Sequence, residues 1–530
     1  VWCHLPVTAF ARPRLPDDLL AAFWRYERAL LANDVAALDA AFEPGDSVRT
    51  EGVELLAGSE HIAEYRRGRT PPPARRVDRL HLRVIGPDDA LVIAEATRPG
   101  GRGVQTQLWH RGPAGWRIAA AHVANAPASY RASTAPATGT SSAAPDQATW
   151  RTTARPLRPA AGDGPLAGVR IAVKDLFAVA GQRIGAGNPA WLAQAPVEPA
   201  DAPALAALLA AGAELTGLAQ TDELAFSLAG MNIHYGTPPN AAVPGAIPGG
   251  SSSGPASAVR SGSADLGLGT DTAGSIRVPA SYCGLYGLRP THGVVSTAGV
   301  LALAPSFDTA GLLAADPALL AAAADLLLPP APAGGPGAQL RELVVAADLV
   351  GDPAAFWPAA EAVAGRRGLT VRVIDGLGDL DRWQAAFRTV QTAEAWRGHG
   401  PFVTANPGAL APEIEARFRS GAAVTPATEE AARAVLAEAQ AALAALLPAD
   451  AVLAAPATAG PAPAANDVDV DVETTRAATL RLTCLASLSG RPALVLPTLR
   501  TGPVPHGLSL MGAPGTDRAL LTLLEPGVTR

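Results

Sequence analysis

Hydrophobic positions fall into two blocks with different rhythms along the chain. In the first, Leu19, Leu20, Phe23, Ala29 and Leu30 recur at helical spacing behind Asp17, a residue type that caps helix N-termini. A shorter helix is expected over 35–42, a strand over 47–50 and a third helix over 60–69. Strand-like runs follow at 81–85, 90–96 and 104–110. A fourth, at 116–123, comes after the turn Gly112-Pro113-Ala114-Gly115. Helices first and antiparallel strands after is an α+β order.

The second block starts near residue 150. Short apolar runs at 169–173, 344–347, 371–374, 451–454 and 493–496 read as buried strands, and Ala-rich stretches at 204–211 and 429–446 read as helices. Alternation of the two predicts an α/β fold whose central mixed sheet is covered by helices. Residues 131–148 are small, polar and proline-bearing, and such a stretch buries too little surface to order itself. The expected organisation is a small α+β domain at 12–128, a linker at 129–150 and an α/β domain at 151–530. A Pro/Gly-rich stretch at 329–337 reads as a surface linker inside the large domain. No solenoid-type repeat is present.

Composition narrows the functional classes. A net charge of −6 over 530 residues gives no reason to expect nucleic acid or an anionic membrane as partner. No run of about 18 apolar residues predicts a membrane span, and the first residues lack the pattern of a signal peptide. Cys3, Cys283 and Cys484 lie far apart, which predicts no disulfide framework and fits a cytoplasmic location. The histidines do not fall at metal-ligand spacing. Asp467, Asp469 and Asp471 read as a solvated strand edge or loop, so no metal and no cofactor are expected. The run Arg66, Arg67, Arg69, Arg75, Arg76 and Arg79 reads as a solvated basic face.

Of the 42 basic residues, one is a lysine, Lys174, and the rest are arginine. Guanidinium stays protonated at any pH an enzyme meets, whereas a buried lysine amine can shed its proton. Lys174 closes the mostly apolar run Val169 to Val173, so it is expected at the end of a buried strand, where lysine is rare without a partner or a task. Downstream lie two serine- and glycine-rich segments. The first is Gly249-Gly250-Ser251-Ser252-Ser253-Gly254. The second is Gly269-Thr270-Asp271-Thr272-Ala273-Gly274-Ser275-Ile276-Arg277-Val278-Pro279. Successive N–H groups ahead of Ser275 could form an anion-binding nest, and a hydroxyl beside such a nest suits attack on a carbonyl. A flexible serine-glycine loop or a phosphate cradle is the alternative, although a phosphate loop would carry a lysine here.

These segments resemble the amidase signature family, with Ile171-Ala172-Val173-Lys174-Asp175 as its lysine strand. Asp222-Glu223-Leu224-Ala225-Phe226-Ser227, His234-Tyr235-Gly236-Thr237-Pro238 and the stretch from Pro279 to Gly299 look closest to its indole-3-acetamide hydrolase-like branch. The resemblance implies a Ser–Ser–Lys triad: Ser275 as nucleophile, Ser251 as proton relay after a cis Gly250–Ser251 bond, and neutral Lys174 as base. It also implies an oxyanion site at the N–H groups of Thr272, Ala273, Gly274 and Ser275, with Gly250, Ser252 and Asp271 in support. Ala273 stands where the family usually has glycine, and a positive φ there would strain alanine. Ser253-Gly254-Pro255 departs from the family's usual Gly-Gly after the paired serines.

The expected activity is cleavage of the C–N bond in a small carboxamide or urea-type amide through an acyl-enzyme. The alternatives are the amidase subunit of a tRNA-dependent amidotransferase and a non-enzymatic amidase-like scaffold. Residues 17–125 resemble the nuclear-transport-factor-2-like fold, and more narrowly the small domain related to 1,3-dicarboxyurea decarboxylase. The residues that carry this are Tyr26-Glu27-Arg28-Ala29-Leu30, Val48-Arg49 and the run from Gly115 to Val123. That likeness implies a pocket lined by Tyr26 and Arg49; an oligomerisation or gating module, giving a homo-oligomer, is the alternative. Trp396, Phe402 and Arg417 are candidate substrate-lining residues.

Overall fold

The computed structural model describes residues 7–9, 17–51, 54–68, 75–98, 101–127, 146–330, 339–465 and 472–524. The Asp467–Asp471 alternation, Cys3, Arg69 and most of the two expected linkers lie outside them. The chain divides into two compact units, Val1–Ala137 and Thr138–Arg530.

The first unit packs three helices, α1 (Asp17–Ala32), α2 (Val35–Ala40) and α3 (Ser59–Gly68), with a seven-stranded sheet. Its strands are β1 (Val7–Ala9), β2 (Val48–Glu51), β3 (Glu54–Ala57), β4 (Arg76–Val84), β5 (Asp89–Arg98), β6 (Gly101–Gly112) and β7 (Gly115–Pro127). Their order is β1-β4-β5-β6-β7-β2-β3. Helical spacing on α1 buries Leu19, Ala22, Phe23, Tyr26, Ala29 and Leu30 in the core. Two strands are additional to the sequence reading. β1 pairs in parallel with β4, so the sheet begins before residue 12, and β3 pairs with β2. At three and four residues, both are too short to show alternation.

The expected solvated basic face is corrected at two positions. Arg66 is 2 % exposed, donates to Asp39 at 2.8 Å and lies over the Phe42 ring. Arg75 grips Glu27, itself buried, through two hydrogen bonds. Both acids come from other elements, and a reading along the chain does not see such neighbours.

The second unit is built on an eleven-stranded mixed sheet. Its strands are β8 (Trp150–Arg158), β9 (Arg170–Lys174), β10 (Glu214–Ala219), β11 (Leu266–Asp271), β12 (Tyr286–Arg289), β13 (Thr309–Ala314), β14 (Glu342–Ala346), β15 (Thr370–Ile374), β16 (Ala451–Pro456), β17 (Ala493–Thr501) and β18 (Val504–Met511). Across the sheet they run β15-β14-β16-β18-β17-β12-β13-β11-β9-β10-β8. Every residue of β11, β13 and β16 is buried, as helices on both faces require. Strand β9 pairs in parallel with β10 and with β11. Three parallel strands therefore end at one edge of the sheet, and their carboxyl ends deliver Lys174, the turn after Ala219 and Thr270-Asp271 to the same place. Open α/β sheets bind ligands at such ends.

Candidate active site

Lys174 is the last residue of β9 and is fully buried. Its Nζ lies 2.9 Å from Ser251 Oγ and 2.8 Å from Thr270 Oγ1, and Ser251 Oγ lies 3.0 Å from Ser275 Oγ. Lysine, serine and serine thus form one hydrogen-bonded chain, although they are separated by 77 and 24 positions in sequence. Burial disfavours the ammonium form and pulls the Lys174 pKa down to about 7, against the opposing pull of Asp222, Asp271 and Asp308. Burial likewise raises the Asp222 carboxyl. The two groups share one poorly solvated region, and each is pushed toward its neutral form.

Ser251 is held by its surroundings on several sides. The Gly250–Ser251 peptide bond is cis. The Ser251 carbonyl accepts from Thr221 Oγ1 at 2.8 Å. A Cβ at Gly250 would sit 2.4 Å from Asp222 Oδ2, so only glycine fits against that carboxylate. Asp222 in turn accepts from the N–H of Gly230 at 2.9 Å and from Ser253 Oγ at 3.3 Å. The departure at Ser253-Gly254-Pro255 is accommodated, because Ser253, Gly254 and Pro255 begin the helix Ser253–Arg260. Gly254 N–H donates to the Gln220 carbonyl. Ser252 donates to the Thr270 carbonyl at 3.2 Å, and its N–H donates to the Ser275 carbonyl.

Asp271 shapes the loop that presents Ser275. Its carboxylate accepts from the N–H groups of Gly274 and Ile276 at 2.9 and 3.1 Å, and from Arg277 and Arg289. All three charged side chains are almost completely buried. Burial alone would raise the Asp271 carboxyl, but the two guanidiniums outweigh it and hold it below the usual carboxylate range. The Gly274 N–H, one of the four expected oxyanion donors, thus has Asp271 as a partner. The N–H groups of Thr272, Ala273 and Ser275 have no hydrogen-bond partner among the described residues. Ala273 is not among the positive-φ residues, and the left-handed position in the loop is Gly274, at φ +128°. Alanine at 273 is therefore unstrained.

Several neighbours were not singled out by the sequence reading. Thr270 touches Lys174, and Asp308 accepts from Thr272 Oγ1 at 2.5 Å. Thr483 donates to the Ala273 carbonyl at 2.5 Å from a helix 210 positions downstream. Thr270 sits inside the second motif and could have been read from it. The others have no local signal, because long-range packing brings them in. The cavity at Ser275 is lined by Gln391 and Arg476, not by Trp396, Phe402 or Arg417. Trp396 and Phe402 pack with the main core, and Arg417 donates to the Phe226 carbonyl. An aromatic residue in an unassigned helix is more often core than pocket wall.

In the first unit, Tyr26 and Arg49 meet. Tyr26 Oη accepts from Arg49 at 3.4 Å and from Gln105 at 2.8 Å. Arg75 joins the same group through Gln105. Among the described residues no helix is long and apolar enough to cross a membrane.

A buried amine, two linked hydroxyls and N–H groups without a partner among the described residues thus lie together at the end of a mixed sheet. Residues 128–331 match the family described as Amidase, and residues 9–128 match the AtzH-like family. The chain is 34% identical to Amidase 1 of Oryza sativa subsp. japonica over 391 residues, 68% of this chain and 90% of the relative. It is 31% identical to Amidase 1 of Arabidopsis thaliana over 71% of this chain and 96% of that protein. A solved amidase superposes with a TM-score of 0.63 at 30% identity, covering 71% of this chain and 91% of its own. A chain of a vestigial protein complex, described as revealing the evolutionary origins of an s-triazine catabolic enzyme, superposes with a TM-score of 0.61 at 32% identity. It covers 68% of this chain and 83% of its own. The chain belongs to the amidase signature family and carries an AtzH-like domain at its N-terminal side. It is an amidohydrolase.

Proposed function

We propose that this enzyme cleaves a small carboxamide or urea-type amide through a Ser275–Ser251–Lys174 relay and an acyl-enzyme. The observation that carries the reading is the unbroken chain of contacts from Ser275 Oγ through Ser251 Oγ to the buried Lys174 amine. Neutral Lys174 draws a proton from Ser251, which draws one from Ser275. The Ser275 oxygen then bonds to the amide carbon. Negative charge develops on the former carbonyl oxygen, and the N–H groups of Thr272, Ala273 and Ser275 stabilise it. Asp271 and Ser252 keep the loop in shape. As the tetrahedral centre collapses, the C–N bond breaks and the proton on Lys174 returns through Ser251 to the departing nitrogen. Water repeats the sequence on the acyl ester and releases the acid.

The urea-type limb of this reading draws support from a solved allophanate hydrolase of Kluyveromyces lactis, with a TM-score of 0.63 at 26% identity. It covers 68% of this chain and 61% of its own. A cytoplasmic location and a small-molecule substrate belong to the same reading. The AtzH-like unit is read as an assembly module that makes the enzyme a homo-oligomer, and a structural neighbour drawn from a protein complex supports this. The contact between Tyr26 and Arg49 favours a pocket of its own there as the second reading. The test is ammonia release from a panel of aliphatic amides, aryl acetamides and ureido compounds, with Ser275→Ala as control. Release by the wild type that vanishes in the variant is expected; equal release by both would refute the nucleophile.

A further inference from the structure

Strands β14, β15 and β16 are parallel to one another. Outward from β11, the strands β13, β12, β17, β18 and β16 reverse direction in turn. The carboxyl ends of β14, β15 and β16 therefore lie at the sheet edge away from the one that carries Lys174. The chain leaves β14 toward β15 on one side and leaves β16 toward β17 on the other. Ligand crevices in α/β sheets form where neighbouring strands part in this way. A cavity of about 360 Å³ lies there, between residues 348–356, which follow β14, and 456–461, which follow β16. That is the size of a small-molecule site. Much of its wall is apolar, from Leu349, Val350, Phe356, Leu482 and Leu499. His506 of β18 also lines it and is 4 % exposed. Its Nε2 lies 3.2 Å from Thr501 Oγ1, and its Nδ1 has no hydrogen-bond partner among the described residues. Buried polar atoms are rarely left unbonded. Burial pushes the imidazole toward its neutral form, against the pull of Asp352.

The charged side chains of the wall are Asp348, Asp352 and Arg481. Arg481 donates to Asp381 at 3.0 Å, so its charge is already balanced. Asp348 and Asp352 make no ion pair among the described residues. A helix start often binds anions, but here Asp352 itself takes the N–H groups of Ala354, Ala355 and Phe356 at the start of the helix Pro353–Arg367. The balance of charge is negative. We propose that this cavity is a second ligand site, separate from the relay at Ser275, and that it takes a small molecule with a hydrocarbon body and a primary ammonium head. The body packs on the apolar wall. The head, with three donors, is shared by the two carboxylates and His506 Nδ1, which accepts when Nε2–H donates to Thr501. The inference stands whether or not Ser275 is the nucleophile.

The test is isothermal titration calorimetry of the full chain at neutral pH. The probes are 2-phenylethylamine and cyclohexylmethylamine, both ammonium ions there, with 2-phenylethanol and 3-phenylpropionate as neutral and anionic matches of the first. Both amines should bind saturably at about millimolar concentration or below, and about tenfold or more tighter than the alcohol and the carboxylate. Asparagine caps a helix as well as aspartate does, so Asp348→Asn and Asp352→Asn together remove charge and keep the fold. That double variant should bind the amines about tenfold or more weakly and the alcohol as before. His506→Phe keeps a buried ring without the nitrogens and should weaken the amines about threefold or more. Thermal melts check both variants, and the exposed aspartate pair decides the matter should the histidine variant fail to fold. No saturable binding of either amine below about 10 mM would overturn the proposal. So would equal affinity for the alcohol or the carboxylate, or amine binding that the aspartate pair leaves unchanged.

Discussion

Replacing Lys174 by arginine keeps a cation and removes a base. Lys174 is fully buried, and that burial brings its pKa to about 7. Above about pH 8 the amine is neutral and can take the proton of Ser251; below about 7 the ammonium form dominates. For one titrating base, kcat/KM should be near half its plateau at pH 7, about 10 % at pH 6 and about 1 % at pH 5. An arginine at this position is protonated throughout and cannot serve. Lys174→Arg should therefore lose about 10²–10⁴-fold at pH 8 and show no rise between pH 5 and 8. The two curves should converge at acid pH, where the wild type has lost its own base. Stability follows the same linkage: the unfolded chain protonates this lysine below about 10.4 and the folded one only below about 7, so its contribution falls as pH drops through that window. The assay is initial-rate ammonia release from pH 5 to 9 in buffers of constant ionic strength. Because guanidinium is larger than ammonium in a sealed site, Lys174→Met serves as a second variant, and both need a melting curve. A wild-type rate that is flat from pH 5 to 8, or an arginine variant with a wild-type profile, would refute the assignment of the base.

Ser275→Ala should reduce kcat by about 10⁴-fold or more, and should shift stability by about 1 kcal/mol or less, because among the described residues the hydroxyl's hydrogen bond is with Ser251 alone; kinetics and urea unfolding check the pair. Asp271→Asn leaves the buried Arg277 and Arg289 without their carboxylate and should cost about 3–5 kcal/mol in urea unfolding. Gly254→Ala places a Cβ 2.5 Å from the Gln220 backbone N and O and should cost about 1–3 kcal/mol, read from the thermal midpoint. A chain starting at Thr138 should retain amide hydrolysis, measured on any amide the full chain turns over, since every group of the relay lies in the second unit.

Much of the site was legible because its chemistry is concentrated in short segments. One lysine among arginines, and two stretches where serine meets glycine, are composition effects that survive without any knowledge of folding. The period of apolar residues likewise marked α1 and the buried strands β9, β14 and β16, because burial on one helical face or on both sheet faces leaves a record in every residue. Short edge strands such as β1 and β3 left no such record. Arg66 looked like part of a solvated face and is buried, because the acid that neutralises it stands 27 positions away.

The sequence determined which chemical groups are available and the local rhythm that places them at strand ends and in loops. Tertiary structure decided which of them meet. Parallel pairing of β9, β10 and β11 brings Lys174 to Ser251 and Thr270, and burial at that junction, not lysine itself, draws the pKa toward neutrality. The same packing commits Gly274 N–H to Asp271, leaves Ala273 unstrained, and sets Gln391 beside Ser275 across 116 positions of chain. Contacts of that range depend on the closure of the sheet and its covering helices, and no local pattern encodes them.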